Sequence, residues 1–224
     1  MQSTNFLSPG RFIDSGSPDV IAFARSAAAG AGSELMSVLR LYQAVRDGIV
    51  YDPYVDMADP ANYRASGVLA AGRGFCIGKA ALFAACARAL GVPARVGYAD
   101  VRNHLTSPRL YDRIKTDLFV WHSYADLHLI GRWVKATPAF NLSLCDRLGL
   151  KPLEFDGRHD SLFHPFDRSG RRHMEYLNDR GTFHDVPFEA IQADFRVAYR
   201  SLMGGLAGDF QSEAVAADEV GTDG

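Results

Sequence analysis

The sequence predicts an α+β fold: N-terminal helices and a buried, cysteine-bearing helix packed on one face of an antiparallel β-sheet. Three observations lead there. Residues 77–90 are apolar almost all round, with Lys79 and Arg88 the only charges, as expected of a helix at the centre of a domain. Two stretches with helical apolar spacing precede that segment, and three strand-like stretches follow it. Helices grouped before strands place the helices on one side of the sheet.

The elements follow in order. Ser17-Pro18-Asp19 offers a cap residue, a proline and an acid, so a first helix should run to about Ala29. A second should run from Ser33 to Arg46, with Leu35, Val38, Leu39 and Tyr42 on one stripe. Residues 48–60 read as extended and aromatic, and 62–71 as short and partly helical. In the cysteine helix, Gly91 suits the position after the last turn, and Pro93 blocks continuation. Strands are expected at 95–101, 117–130 and 132–137, with a tight hairpin at Gly131. Residues 142–170 form a long irregular stretch punctuated by Pro and Gly, a pattern common in binding loops. His173 to Leu177 is expected to add another strand. Asp185 and Pro187 should start a last amphipathic helix, with Phe188, Ile191, Phe195 and Tyr199 on one stripe. The acidic, Gly- and Ala-rich residues 204–224 are expected to be a disordered tail. Residues 1–203 thus form one domain: a core at about 20–140, and a loop-rich extension with a C-terminal helix at 142–203.

Composition narrows the functional classes. A chain of 224 residues with a net charge of −2 gives no electrostatic case for nucleic acid or an anionic membrane. No apolar run approaches a membrane span, and Met1 to Gly10 lack the basic start and apolar stretch of a secretory signal. Three scattered cysteines do not make a disulfide framework, and a reducing, cytoplasmic setting is expected.

The chemistry centres on Cys76, in Gly72-Arg73-Gly74-Phe75-Cys76-Ile77-Gly78-Lys79-Ala80. Cys76 falls at the N-terminus of the buried helix, where unpaired N–H groups and the helix dipole favour a thiolate. By position alone, a small buried apolar cysteine fits equally well. Downstream, Trp121-His122-Ser123-Tyr124-Ala125-Asp126 supplies a histidine inside a strand. Asp126 cannot serve that histidine, because four strand residues span about 13 Å. The same spacing, about 20 Å from His122 to His128, argues against a metal on this strand. His159, His164, His173 and His184 show no ligand spacing and read as surface or core residues. Cys86 reads as a packed helix residue, Cys145 as incidental, and Trp121 and Trp133 as core. Arg95 is expected either to pair with an acid near the sheet or to stand exposed.

These segments line up with a known pattern. Gly74-Phe75-Cys76-Ile77-Gly78-Lys79-Ala80-Ala81-Leu82-Phe83 is followed by Arg88-Ala89-Leu90-Gly91-Val92-Pro93-Ala94-Arg95-Val96-Gly97-Tyr98. Then come Trp121-His122-Ser123-Tyr124 and Arg132-Trp133-Val134-Lys135-Ala136-Thr137-Pro138. Over roughly residues 20–140 the chain resembles the transglutaminase-like superfamily, the papain-like group of bacterial transglutaminase and cysteine-protease domains, and Val45 to Tyr54 looks like that family's lead-in. The resemblance implies a Cys-His-Asp triad with Cys76 as nucleophile and His122 as general base and acid. The third position, four residues after Trp133, holds Thr137 instead of an aspartate. A threonine hydroxyl can orient an imidazole but carries no charge to stabilise its cation; Asn141 is the alternative support.

The implied activity is thiol-dependent hydrolysis of a peptide or protein amide through a thioester, with no cofactor and no metal. Two alternatives stand beside it: transglutaminase-type acyl transfer to an amine, and a catalytically silent binding module, which Thr137 favours. The N–H of Cys76 is expected to bind the oxyanion, and Tyr51 and Tyr54 are candidates to shape that site. The 142–170 insert is expected to border the cleft.

Overall fold

The computed structural model describes residues 4–104, 108–162, 166–171 and 173–214. The first helices are α1 (Pro18–Ala27), with Pro18 in its first turn, and α2 (Glu34–Gly48), where Ser33 Oγ accepts from the Met36 N–H at 3.2 Å. A two-residue strand β1 (Val50–Tyr51) follows, and then α3 (Ala65–Ala71). Strand β2 (Arg73–Gly74) pairs in parallel with β1 and leads directly into α4 (Cys76–Ala89).

Helix α4 is buried from Ile77 to Arg88. It packs against α1, α2 and α3 on one side and against the sheet on the other. Gly78 lets the turn before α3 approach closely as well, since a Cβ there would lie 2.4 Å from the Asn62 carbonyl oxygen. The helix ends as expected: Gly91 has φ 85°, and the Val92 N–H bonds to the Ala87 carbonyl at 2.9 Å. Its two charges are buried on carbonyl groups. Lys79 donates to the carbonyls of Arg46 (2.8 Å) and Ile49 (2.5 Å) at the end of α2. Arg88 donates to those of Ser8, Ala94 and His184, joining three distant segments.

The sheet is built from β3 (Ala94–Asn103), β4 (Leu118–Leu129), β5 (Arg132–Ala136) and β6 (Met174–Phe183), in the order β5-β4-β3-β6. Every neighbouring pair in it is antiparallel. The hairpin between β4 and β5 turns through Ile130 (φ 51°) and Gly131 (φ 78°), a two-residue turn with both central residues left-handed. The expected strand at 173–177 is present and runs on to Phe183.

Three helices were not apparent in the sequence: α5 (Pro108–Ile114), α6 (Leu142–Arg147) and α8 (Phe210–Glu213). Thus the 142–170 stretch opens with a helical turn before its irregular part. The amphipathic helix α7 (Phe188–Ala198) buries Ile191 and Phe195 as its spacing predicts. Asp185 does not cap it; its carboxylate instead accepts the N–H groups of Arg11 (2.6 Å) and Ile13 (2.8 Å).

The expectation of a disordered tail from residue 204 is corrected over 204–214. The Leu206 N–H bonds to the Tyr54 carbonyl at 2.9 Å, and Phe210 packs edge-on against Tyr51 and Tyr54. Gln211 Nε2 donates to the Tyr51 carbonyl at 2.8 Å, and the Tyr54 hydroxyl donates to Glu213 at 2.9 Å. One aromatic anchor with three polar ties is enough to hold a segment that composition alone reads as unstructured. Residues 215–224 of that tail, and His164, lie outside the described residues.

Candidate active site

Cys76 is the first residue of α4, after an extended Phe75. The β1–β2 pairing sets Tyr51 beside Gly74, and the Asp52 N–H bonds to the Gly74 carbonyl at 3.0 Å, so the Tyr51 segment is fixed against the lead-in to the cysteine. The thiol is half-buried. Here the structure corrects the expectation of a depressed pKa: burial pushes Cys76 up to about 11, and the N–H groups of Ser123, Ile77 and Cys76 bring it only part of the way back. The helix terminus favours the anion, but desolvation outweighs it.

The Ser123 N–H that reaches the sulfur belongs to β4, immediately after His122. His122 is opposite Ala99 of β3 in the ladder. The next pair is Val101 with Phe119, so Val120 and Trp121 together face Asp100 in a β-bulge. Trp121 carries the strain of that bulge at φ 60°, a conformation costly for a bulky residue. A polar network holds it. The Trp121 N–H donates to Asp100 (3.1 Å) and its indole Nε1 to Asp194 (2.8 Å), while Arg180 bridges both carboxylates (2.6 and 2.7 Å). The bulge brings Phe119, Val120 and His122 to one cavity of about 70 Å3, which Cys76 and Tyr51 also line.

Thr137 follows β5, its N–H donating to the Ser161 carbonyl at 2.8 Å and its own carbonyl accepting from the Tyr42 hydroxyl at 3.3 Å. Thr137 and His122 both line a smaller cavity of about 10 Å3. The buried Thr137 hydroxyl makes no hydrogen bond there, so the direct bond expected between it and the imidazole is not formed. Asn141, the alternative support, is engaged elsewhere: its Oδ1 accepts the Tyr51 N–H at 3.1 Å, and its Nδ2 donates to Ser143 at 2.7 Å.

Other expectations resolve as follows. Asp126 pairs with Arg95 at 2.8 Å, and that guanidinium lies 4.1 Å over the Trp133 ring. Cys86 and Cys145 are buried. Tyr54 is tied to Glu213 and is not among the residues lining the cavity of Cys76. Tyr51 does face the cavity, and burial together with the Cys76 charge holds its phenol protonated well beyond the usual range. Leu148 of the 142–170 stretch lines the larger cavity, and Leu153 and Leu162 line the smaller one. His173, read from sequence as a surface or core residue, is buried at the larger cavity; no spacing signal could have placed it there. Among the described residues, no three His, Cys, Asp or Glu converge as metal ligands, and no helix is long and apolar enough to cross a membrane.

Cys76 at the head of a central helix and His122 on the adjoining antiparallel sheet thus line one cavity. Residues 21–138 match the model of the transglutaminase-like superfamily, and the chain belongs to that superfamily. Among solved structures it is similar to a "putative cysteine protease" from Cytophaga hutchinsonii. The identity is 19% and the TM-score 0.51, over 84% of this chain and 49% of that one. A "putative protease" from Parabacteroides distasonis aligns with 18% identity and a TM-score of 0.39, over 56% of this chain and 24% of that one. The chain therefore spans about half or less of the length of these proteins. No curated protein matches its sequence.

Proposed function

We propose that this protein hydrolyses an amide or peptide bond through Cys76 and His122. The observation that carries the reading is the shared cavity: the helix-terminal thiol and the strand imidazole line one space, on a chain of the transglutaminase-like superfamily. His122 takes the Cys76 proton, and the thiolate attacks the carbonyl carbon. The C–N bond breaks, the amine leaves with the proton from His122, and a thioester remains on Cys76. Water then attacks the thioester, His122 takes its proton, and the C–S bond breaks to release the acid and restore the thiolate. The Cys76 N–H binds the oxyanion, with the Tyr51 phenol as second donor. Thr137 lines the small cavity beside the imidazole without bonding to it.

The test is release of a fluorophore from fluorogenic peptide amides, by wild type and Cys76→Ala, with and without a primary amine. Wild-type release that needs no amine and vanishes in Cys76→Ala is expected. Product that forms only with amine assigns acyl transfer instead. A binding module is the second reading, favoured by the unbonded Thr137 hydroxyl. It takes first place if Cys76→Ala retains the protein's cellular role.

A further inference from the structure

We infer that the acyl group taken by Cys76 is apolar and uncharged. This rests on the thiol reading above and names its substrate class. The cavity beside Cys76 and His122 is walled by Val101, Leu110, Ile114, Phe119, Val120 and Leu202, drawn from β3, α5, β4 and the chain after α7. Among the described residues that line it, none is Asp, Glu, Lys or Arg. The charged groups flanking Trp121, namely Asp100, Arg180 and Asp194, bond to one another and to the indole. The polar groups lining it are Tyr51, Asn103, Tyr199 and the imidazoles of His122 and His173, so a charged acyl group would lose its hydration and meet no full counter-charge while those imidazoles are neutral, which disfavours entry. An apolar chain loses nothing polar and gains burial. The volume, about 70 Å3, is several times the roughly 10–15 Å3 that one water needs, so more than a methyl group can be held.

The contacts also grade substrates by length. Each buried methylene contributes about 0.8 kcal/mol, or about fourfold in acylation rate where the transition state buries it. The sources of such a group are a simple acyl chain and the acyl half of an apolar amino acid. Both present the same chemistry to these walls.

The experiment uses the full chain and p-nitrophenyl esters of acetate, butyrate, hexanoate, N-acetyl-phenylalanine and succinate. The p-nitrophenolate burst gives the acylation rate, and mass spectrometry locates the acyl group on the Cys76 peptide. Hexanoate, four methylenes longer than acetate, is expected to acylate Cys76 more than tenfold faster, since burying two of those methylenes already gives about sixteenfold, with succinate no faster than acetate. The phenylalanyl arm separates the sources: faster than hexanoate means an aminoacyl substrate, slower means a simple chain. Val101→Thr replaces one wall methyl with a hydroxyl, so the hexanoate-to-acetate ratio should fall several-fold. Equal rates along the series, or a preference for succinate, overturn the substrate class and leave the thiol reading standing. Absence of acyl on Cys76 from every ester overturns both.

Discussion

The guanidinium of Arg180 lies 4.4 Å over the indole ring of Trp121, the residue before His122. The contact completes the bridge from Asp100 to Asp194 and holds a strained bulge in the strand that carries the imidazole. Position in the network, not contact with the cavity, makes Arg180 a positioning residue.

Arg180→Ala frees the bulge at Trp121. The expected result is a roughly tenfold to hundredfold fall in kcat with little change in KM, because a misplaced base costs rate more than binding. The acid limb of the pH–rate profile should shift as His122 moves. A lower Tm with unchanged kcat and pH profile would assign the network to the fold alone.

The unbonded Thr137 hydroxyl makes a paired prediction. Thr137→Ala should change kcat by no more than about threefold, since no direct hydrogen bond is lost. Thr137→Asp puts a carboxylate on the cavity shared with His122, where it can stabilise the imidazolium. We expect kcat to rise at least about tenfold, with the acid limb moving to higher pH. A fall in kcat in a folded Thr137→Asp protein would mean the position does not serve the imidazole.

The thiol gives a direct pH readout. Burial pushes Cys76 up to about 11, so without an imidazolium partner it should alkylate with iodoacetamide only in strongly alkaline solution. His122→Ala is expected to show that profile. Wild type should label Cys76 at lower pH, by mass spectrometry of the modified peptide. Identical profiles would mean that the two side chains do not share a proton.

Buried Lys79 links stability to pH. Burial lowers its pKa to about 7, below its value in the unfolded chain, so the unfolded chain holds the proton more tightly. The protonated lysine costs stability at pH 7 and below, and that cost fades as pH rises above 7. Raised cysteine pKa values act in the opposite sense above about pH 8.5, the free-thiol value. Denaturant unfolding of wild type and Lys79→Met between pH 6 and 8.5 isolates the effect. The wild-type stability should gain on the variant as pH rises through 7. A constant difference would place the Lys79 pKa above this window.

Much of this architecture is local in origin and was therefore legible in the sequence. The apolar run of α4, its Gly91 stop, the Ile130-Gly131 hairpin and the strand-like runs of β3 and β4 are properties of neighbouring residues. Cys76 and His122 stand out because each is set in such a local frame, one at a helix start and one in a strand. The pairing of Arg95 with Asp126 was expected only as one of two outcomes, and the sheet register selected it.

What required the tertiary structure depends on groups far apart in the chain. Desolvation of the thiol reverses the tendency of its helix terminus, and no sequence window contains the atoms that exclude the water. Asn141 is drawn to Tyr51, and the Thr137 hydroxyl is left without a hydrogen bond, because the backbone beyond β5 is set by Ser161 and Tyr42. The segment 204–214 has the composition of a tail, yet Phe210 is held by Tyr51 and Tyr54 from the other end of the chain. The sequence by itself determined the helix and strand that present Cys76 and His122. The tertiary structure alone decided the desolvation of the thiol, the surroundings of the imidazole and the apolar walls around them, because those depend on which distant groups displace water from the site.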